Sequence, residues 1–497
     1  MTDQPKNVII STRRSSARRD QLVACVVGAA LLGGAMLYQP MLQNKRQGLV
    51  IDNDASLKNL IVAFPRLTLG GFRGLLSTIL WMQAEEDKNE RRWVELETKY
   101  DLIGTLQPYF TTVYIFHAWN QAYNLSAQWH SVDAKYKWVL DGLSYLYKGE
   151  EYNPNNPDLQ LEIGHLYFLK ISGSFERIFY RAHWRADIAR MYELDEGLKQ
   201  SDATDALKHV YNFVLRPQFK AEKLPATDGS NRSGFGIAIT DPDLFTYRTD
   251  GKKVGEPVPF RYGLSPYYFA HQEYKRTLAS GNPTTTGIAV VDAWPAMSLR
   301  LWCRDDLYYT ATGLNEMFNP NAEPAVGGGG GEKSTLTAEE FNRRVLEYRD
   351  CYRNVEMIAP KSVDLFEQHL LKFPNNRSIH NKHIAETKSY RQIARAESKM
   401  FEALVRWHYN ERKMTPAIRN DLLAAIRGYE EAIPVMDAWI NTVFPTAQER
   451  AMNPDREDYD SYTNALRARI TGLQALTQLG PTDQPNFSFL AQIPVER

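Results

Sequence analysis

The chain has 497 residues, and its 59 Lys+Arg balance its 59 Asp+Glu, so there is no global basic field of the kind that holds nucleic acid. With 43% hydrophobic and 24% charged residues it is an ordinary globular composition, which rules out wholesale disorder, a polytopic membrane protein and a fibrous rod. Three cysteines are too few for a disulfide scaffold.

The first element is apolar. Residues 22–38 carry no charge, and the uncharged stretch from Gln21 to Asn44 is 24 residues long. At about 1.5 Å per residue, some 20 helical residues already span a hydrocarbon core of about 30 Å. Lys6, Arg13, Arg14, Arg18 and Arg19 precede the run and only Lys45 and Arg46 follow closely, so the amino terminus is expected in the cytoplasm. The reading is a basic tail at 1–20 and a single transmembrane signal anchor at 21–43, with the body outside a bacterial inner membrane. Three rivals fit less well. A cleaved signal peptide would be cut near Gly33-Gly34-Ala35, but Leu37 and Pro40-Met41-Leu42 extend the apolar run. A twin-arginine signal at Arg18-Arg19 is weakened by the polar Gln21. The lipobox-like Leu22-Val23-Ala24-Cys25 precedes the apolar segment instead of following it, so Cys25 reads as part of the membrane helix.

Residues 44–66 form a mixed connector, and 67–215 read as helix after helix. Trp93, Leu96, Tyr100, Ile103 and Leu106 make one helical stripe. Val113, Phe116, Trp119 and Tyr123 make a second; Val139, Leu143, Leu146 and Tyr147 a third; Leu159, Ile163, Leu166 and Phe168 a fourth. Pro108, Pro154 and Pro157 mark the breaks, since proline cannot continue a helix and biases its predecessor away from αR. Residues 216–331 lose this period and read as an irregular, β-containing insertion. A hairpin over Phe245–Phe260 would turn at Asp250-Gly251, a short helix is expected near Tyr267–Leu278, and Gly327–Gly331 is a flexible loop. The second helical segment, 332–497, opens with the capping-box pair Thr337 and Glu340 and the stripe Phe341, Val345, Tyr348, Tyr352, Val355. Helices follow at Ile393–Trp407, Ile418–Ile433 and Leu466–Leu479, with Pro416 at a helix start and Gly480-Pro481 at a stop.

Helix pairs separated by proline turns, with aromatics and alanines on inner faces, resemble a tetratricopeptide (TPR) array. Leu75-Leu76-Ser77-Thr78-Ile79-Leu80-Trp81-Met82-Gln83-Ala84 is similar to a first repeat helix. Ala425-Ile426-Arg427-Gly428-Tyr429-Glu430-Glu431-Ala432-Ile433-Pro434 is similar to a second helix and its exit. The spacing from Pro108 to Pro154 exceeds the family period of about 34, so the array would be degenerate. Taken whole, the chain resembles single-pass bacterial membrane proteins with a TPR-like helical domain. That resemblance implies a mainly α scaffold, an α-solenoid of hairpins that binds partner chains, and no known chemistry.

The spacings that chemistry requires are absent: no G-x-S-x-G, H-E-x-x-H, Walker loop or C-x-x-C occurs. Gly234-Phe235-Gly236 lacks the third glycine of a dinucleotide turn. His380, His383 and Glu386 share a helix face and have ligand chemistry, yet a solvated polar face accounts for them more simply. His117 and His165 sit beside aromatic stripes and read as interior or groove-lining histidines. The pairs Asp241/Asp243 and Asp305/Asp306 would have to flank one pocket to cleave a glycosidic bond; turns and solvation are the simpler account. Asp455, Glu457, Asp458 and Asp460 lack the glycine and final glutamate of a calcium loop and read as a solvated linker. Cys303 and Cys351 would lie in a compartment that permits a disulfide, and could pair or remain buried thiols.

Aromatics at 12% are the informative excess. Core packing is the expectation for Trp93, Trp119 and Trp138. The run Tyr267-Tyr268-Phe269 exceeds what one buried face holds, and Tyr308-Tyr309 follow Trp302. The candidate partner-binding residues are therefore Trp119, Tyr123, Trp302, Tyr308 and Tyr309, with no catalytic, cofactor or metal residues expected. A protein partner in the cell envelope is the first expectation. A glycan stacked on the aromatics of the insertion is the second, and an enzyme using the Asp pairs is the third.

Overall fold

Helix starts are written in the sequence as a side-chain acceptor ahead of a proline or an apolar run. In the computed structural model Asn156 Oδ1 accepts from the Asp158 and Leu159 amides ahead of a helix that begins at Pro157. Ser265 Oγ does the same for Tyr267, Thr415 Oγ1 for Ile418 and Thr337 Oγ1 for Glu340. Each such cap stabilises a helix by about 1 kcal/mol. The structure describes residues 72–194, 237–239, 258–260, 265–319, 336–452, 456–480, 483 and 485–495. The expected tail, anchor and connector, the fragment Gly234–Gly236, Asp241, Asp243, Asp455 and the glycine run lie outside these residues. Among the described residues no helix is long and apolar enough to cross a membrane.

The described chain is mainly helical, and it divides into two units, 1–117 and 118–497. In the first unit α1 (Phe72–Asn89) packs on α2 (Trp93–Leu106). Of the expected stripe, Leu96, Tyr100, Ile103 and Leu106 are buried, while Trp93 is half-buried. Asp87 at the end of α1 is buried and is bonded by Lys99 and Arg92, which closes the hairpin with charge. Trp81 meets the Tyr100 ring edge-on at 5.7 Å. Helix α3 (Thr111–Trp119) crosses the unit boundary.

The second unit continues from α3 into a π-helical segment, Asn120–Leu125, and then α4 (Val132–Tyr152). Next come α5 (Pro157–His165), a second π-helical segment, Leu166–Ile171, and α6 (Arg177–Leu194). Strands β1 (Ile237–Ile239) and β2 (Val258–Phe260) pair antiparallel, Ile237 opposite Phe260. β2 is the expected second strand of the hairpin, but its partner lies upstream of Phe245. Helices α7 (Pro266–Ser280) and α8 (Ile288–Phe318) follow. Then come α9 (Ala338–Lys372), α10 (Arg377–Tyr409), α11 (Pro416–Val443), a short α12 (Ala447–Met452) and α13 (Arg456–Thr477). From α7 to α11 each helix packs on its chain neighbour, and α13 packs on α11.

Several expectations are corrected. The insertion at 216–331 is not irregular throughout, because α7 and the 31-residue α8 occupy much of it. Pro434 does not end its helix; like Pro295 in α8 and Pro360 in α9, it sits inside one. A proline removes one backbone donor, and tertiary packing of these long helices outweighs that loss. Helices α8 to α11 run 31, 35, 33 and 28 residues. Each approaches the length of a whole repeat of about 34 residues, so the repeat period itself is not reproduced. Tyr267, Tyr268 and Phe269 are all buried, because α7 is covered by α5, by the second π-helical segment and by α8. Glu457, Asp458 and Asp460 belong to the first turns of α13, not to a linker.

Candidate functional site

The aromatic excess divides into an enclosed set and an outward set. The enclosed set is continuous: Tyr167 stacks on Phe269 at 5.4 Å, Trp184 meets Phe269 at 5.1 Å, and Tyr268 meets Trp302 at 5.9 Å. All five rings are buried. Trp302, only 1% exposed, is therefore a core residue and leaves the candidate binding set. Tyr308 is half-buried, and Tyr309 is partly exposed with its ring edge-on to Tyr348 at 5.7 Å. No flat platform of these three residues exists.

The outward set centres on Trp119. It was expected in the core, continuing the stripe from Val113, yet it is 46% exposed. The cause is local. Trp119 ends α3, ahead of the π-helical segment in which the Ser126 amide bonds to the Gln121 carbonyl in an i→i+5 pattern, and at about 100° per residue it already stands about 120° around the helix from Val113. Ala118, Ala122 and Leu125 take the buried face, and Trp119 stacks on Tyr123 at 5.5 Å and 27° on the outside. Gly142 of α4 lets this segment close up: a Cβ there would lie 2.7 Å from the Ala118 carbonyl oxygen. Nearby in the chain, Trp129 is exposed and stacks on the half-buried Trp138 at 6.4 Å.

The second π-helical segment brings Lys170 under this surface. Its Ser172 amide bonds to the Tyr167 carbonyl at 3.1 Å, again i→i+5. The Lys170 ammonium lies 5.0 Å from the Tyr123 ring centre and 5.9 Å from that of Tyr180. Lys170 is only 8% exposed. Burial pulls its ammonium below the ordinary lysine value, Glu176 opposes this and Lys135 adds to it. Burial would raise the Glu176 carboxyl, but the 2.8 Å bond from Lys135 and the two lysine charges hold it below the usual range. Burial, with a smaller push from Glu162, raises Tyr123 to about 12. Leu169, Phe179 and the fully exposed Phe175 flank Lys170 and Tyr180 in the chain. None of Lys170, Tyr180 and Phe175 was singled out from the sequence. The periodicity of a regular helix gives no signal for a π turn, so the approach of Lys170 to the Tyr123 ring had no visible cause there.

The other candidates resolve differently. His380 and Glu386 are buried, not solvated. Glu386 is engaged by Arg300 and accepts from Tyr390 Oη at 2.5 Å. Although burial would raise its carboxyl, Arg300 brings it down to about 2. His380 packs against His369 at 4.7 Å and Phe366 at 5.3 Å, and burial lowers it to about 4. Among the described residues no group of three His, Cys, Asp or Glu side chains could hold a metal ion. Asp305 and Asp306 are buried on α8, and Asp305 is bonded by Arg181 and Arg304. His117 is buried and packs on Tyr100 at 4.8 Å, while His165 meets Trp294 edge-on at 4.5 Å. Cys303 and Cys351 are buried and form no disulfide with each other.

Comparison of the chain with protein-family models, with curated proteins and with solved structures finds no match.

Proposed function

We propose that this chain is a non-catalytic helical scaffold, TPR-like in the loose sense of stacked helical hairpins, tethered to a bacterial inner membrane through residues 21–43. Its body lies outside the cytoplasm, and the aromatic surface around Trp119 and Tyr123 docks a protein partner of the cell envelope. One observation carries the docking reading: a large aromatic, Trp119, stands 46% exposed and is stacked on Tyr123. Exposed Trp and Tyr give large contact area for little conformational entropy, and they dominate protein interfaces. Two buried π-helical turns hold the surface, and such turns concentrate at functional sites. Tethering adds effective concentration toward partners in the same membrane.

The experiment is in-cell photocrosslinking from a reactive phenylalanine analogue at Trp129, followed by purification of the tagged full chain. A reproducible adduct with one envelope protein, lost in Trp119→Ser while the chain stays folded, is the expected result. Adducts that persist unchanged in Trp119→Ser would remove the docking face from this position. Orientation is separately testable, since a carboxy-terminal reporter active only outside the cytoplasm stays dark if the body lies inside.

A further inference from the structure

Buried cations elsewhere in the second unit are matched by carboxylates. Arg469 faces Glu397 and Arg300 faces Glu386. Lys170 is the exception among these. It is more than nine-tenths buried, and among the described residues it forms no ion pair and no hydrogen bond; its contacts are the two tyrosine rings. A ring face attracts an ammonium but offers no lone pair in the ring plane for its three N–H donors. Glu176 does not fill the gap, because it is bonded to Lys135 and one carboxylate is shared by two ammonium charges. The Tyr180 hydroxyl is also buried, with no partner among the described residues. The Lys170 ammonium and the Tyr180 hydroxyl, which share the Tyr180 ring environment, are thus two donors without an acceptor among the described residues.

The chemistry of that acceptor is constrained. There is one excess positive charge, with no guanidinium fork in contact with Lys170, so a planar monoanion fits better than a phosphate dianion. Glu162, which acts on the Tyr123 hydroxyl, adds negative charge on that side and further disfavours a dianion. Trp119, stacked on the Tyr123 ring that Lys170 faces, is exposed, and the chain neighbours Leu169 and Phe175 are exposed too, which suits a carboxylate carried beside an aromatic or apolar side chain. We propose that Lys170 anchors a carboxylate-binding site: an Asp or Glu of the protein partner, next to an aromatic residue, pairs with the Lys170 ammonium between Tyr123 and Tyr180 while its neighbour stacks on Trp119. This deepens the docking reading and rests on it for the bearer of the carboxylate.

The test uses the full chain in detergent and two probes, N-acetyl-Phe-Glu-Phe-amide and its Gln analogue, with binding read by saturation-transfer NMR. The Glu peptide should bind about tenfold more tightly than the Gln peptide, and that ratio should shrink as salt rises from about 0.05 M to about 0.5 M. Lys170→Met should bring the ratio to about one without weakening the Gln peptide, since the methionine keeps the apolar stem. Lys170→Gln serves as the second variant, with the same expected collapse, should the methionine disturb packing. Trp119→Ser should weaken both peptides alike and leave the ratio intact. Equal binding of the two peptides to the unmodified chain, or a ratio that survives in both Lys170 variants, would overturn the proposal. The ratio reads the lysine site, and the in-cell capture reads the docking face. A clear ratio with no captured protein would therefore overturn the protein partner while leaving the carboxylate site standing.

Discussion

Residues 118–194 and residues 288–477 belong to the same unit and spend their aromatics in opposite ways. In the later region, long helices bury most of the large rings they carry: Tyr348, Tyr352, Phe401, Tyr429 and Trp439 are all enclosed, while Tyr309 and Tyr409 reach the surface. In the earlier region, short helices are interrupted by two π turns, and Trp119, Trp129, Phe175 and Phe179 stand outside. An aromatic on a regular stripe is absorbed by the neighbouring helix. One off the stripe is left at the surface. On the proposed docking reading, one region supplies stability and the other recognition, and each role can be broken by substitution.

The largest effect is expected at Glu397 in α10. Its carboxylate accepts from Arg469 Nε at 3.0 Å and Tyr429 Oη at 2.7 Å, and Arg469 also donates to the Phe489 carbonyl at 2.6 Å. Arg469 is 0% exposed, so removing its partner strands a buried charge. Glu397→Ala should destabilise the second unit by about 3–5 kcal/mol, read by urea unfolding. A loss below about 1 kcal/mol would mean that solvent reaches Arg469 and that the later region is looser than described. Gly142→Ala comes next. The added methyl would press on the Ala118 carbonyl, and about 1–3 kcal/mol of strain is expected. The same variant should alter the near-ultraviolet signal of Trp119, whose segment must back away; an unchanged signal would uncouple Gly142 from the aromatic surface.

A smaller effect separates the regions by pH. Burial raises Glu273 of α7 to about 8, against the attraction of Arg276, which serves Glu150 as well. The folded chain then holds a proton that the unfolded chain releases above its ordinary 4.5, so stability falls as pH rises through that window. His380 has the opposite sign: lowered from 6.5 to about 4, it removes stability as pH falls through that interval. The two slopes oppose each other at acid pH, and Glu273 acts alone above pH 6.5. Glu273→Gln should flatten the decline in melting temperature between about pH 6.5 and 8.5. Parallel profiles for variant and parent would show that Glu273 is ionised in the folded chain.

What was legible in the sequence follows the same division. The stripe Phe341–Val355, the cap at Thr337, the helix start at Pro416, and the breaks at Pro108, Pro154 and Pro157 all depend on local chemistry, and each stands where it was read. Helix continuity through Pro434 was not legible, because packing of α11 on α10 and α13 decides it. Trp302 and Tyr267–Phe269 were misjudged for a related reason: a helix wrapped on several sides has no outer face, and one chain's periodicity does not count its neighbours. Trp119 was placed in the binding set for its residue type, while its stripe argued for the core. The buried face of α3 runs through Val113, Tyr114, His117 and Ala118, and Trp119 stands off it.

The smallest expected change in stability is therefore the one that most sharpens the comparison. Trp119 is half in solvent already, so Trp119→Ser should cost less than about 1 kcal/mol. Lys170→Met should be neutral or stabilising, since it replaces a buried ammonium that lacks a carboxylate with an apolar side chain of similar length. Both should nonetheless weaken partner capture, whereas Glu397→Ala should lower capture only in proportion to the fraction unfolded. The decisive comparison is capture per folded molecule, with the folded fraction measured by circular dichroism in the same preparation. If Trp119→Ser and Lys170→Met capture normally while melting normally, the outward aromatics are exposed for some other reason. If they melt early, the surface is part of the core's support, and the two regions do not divide the labour.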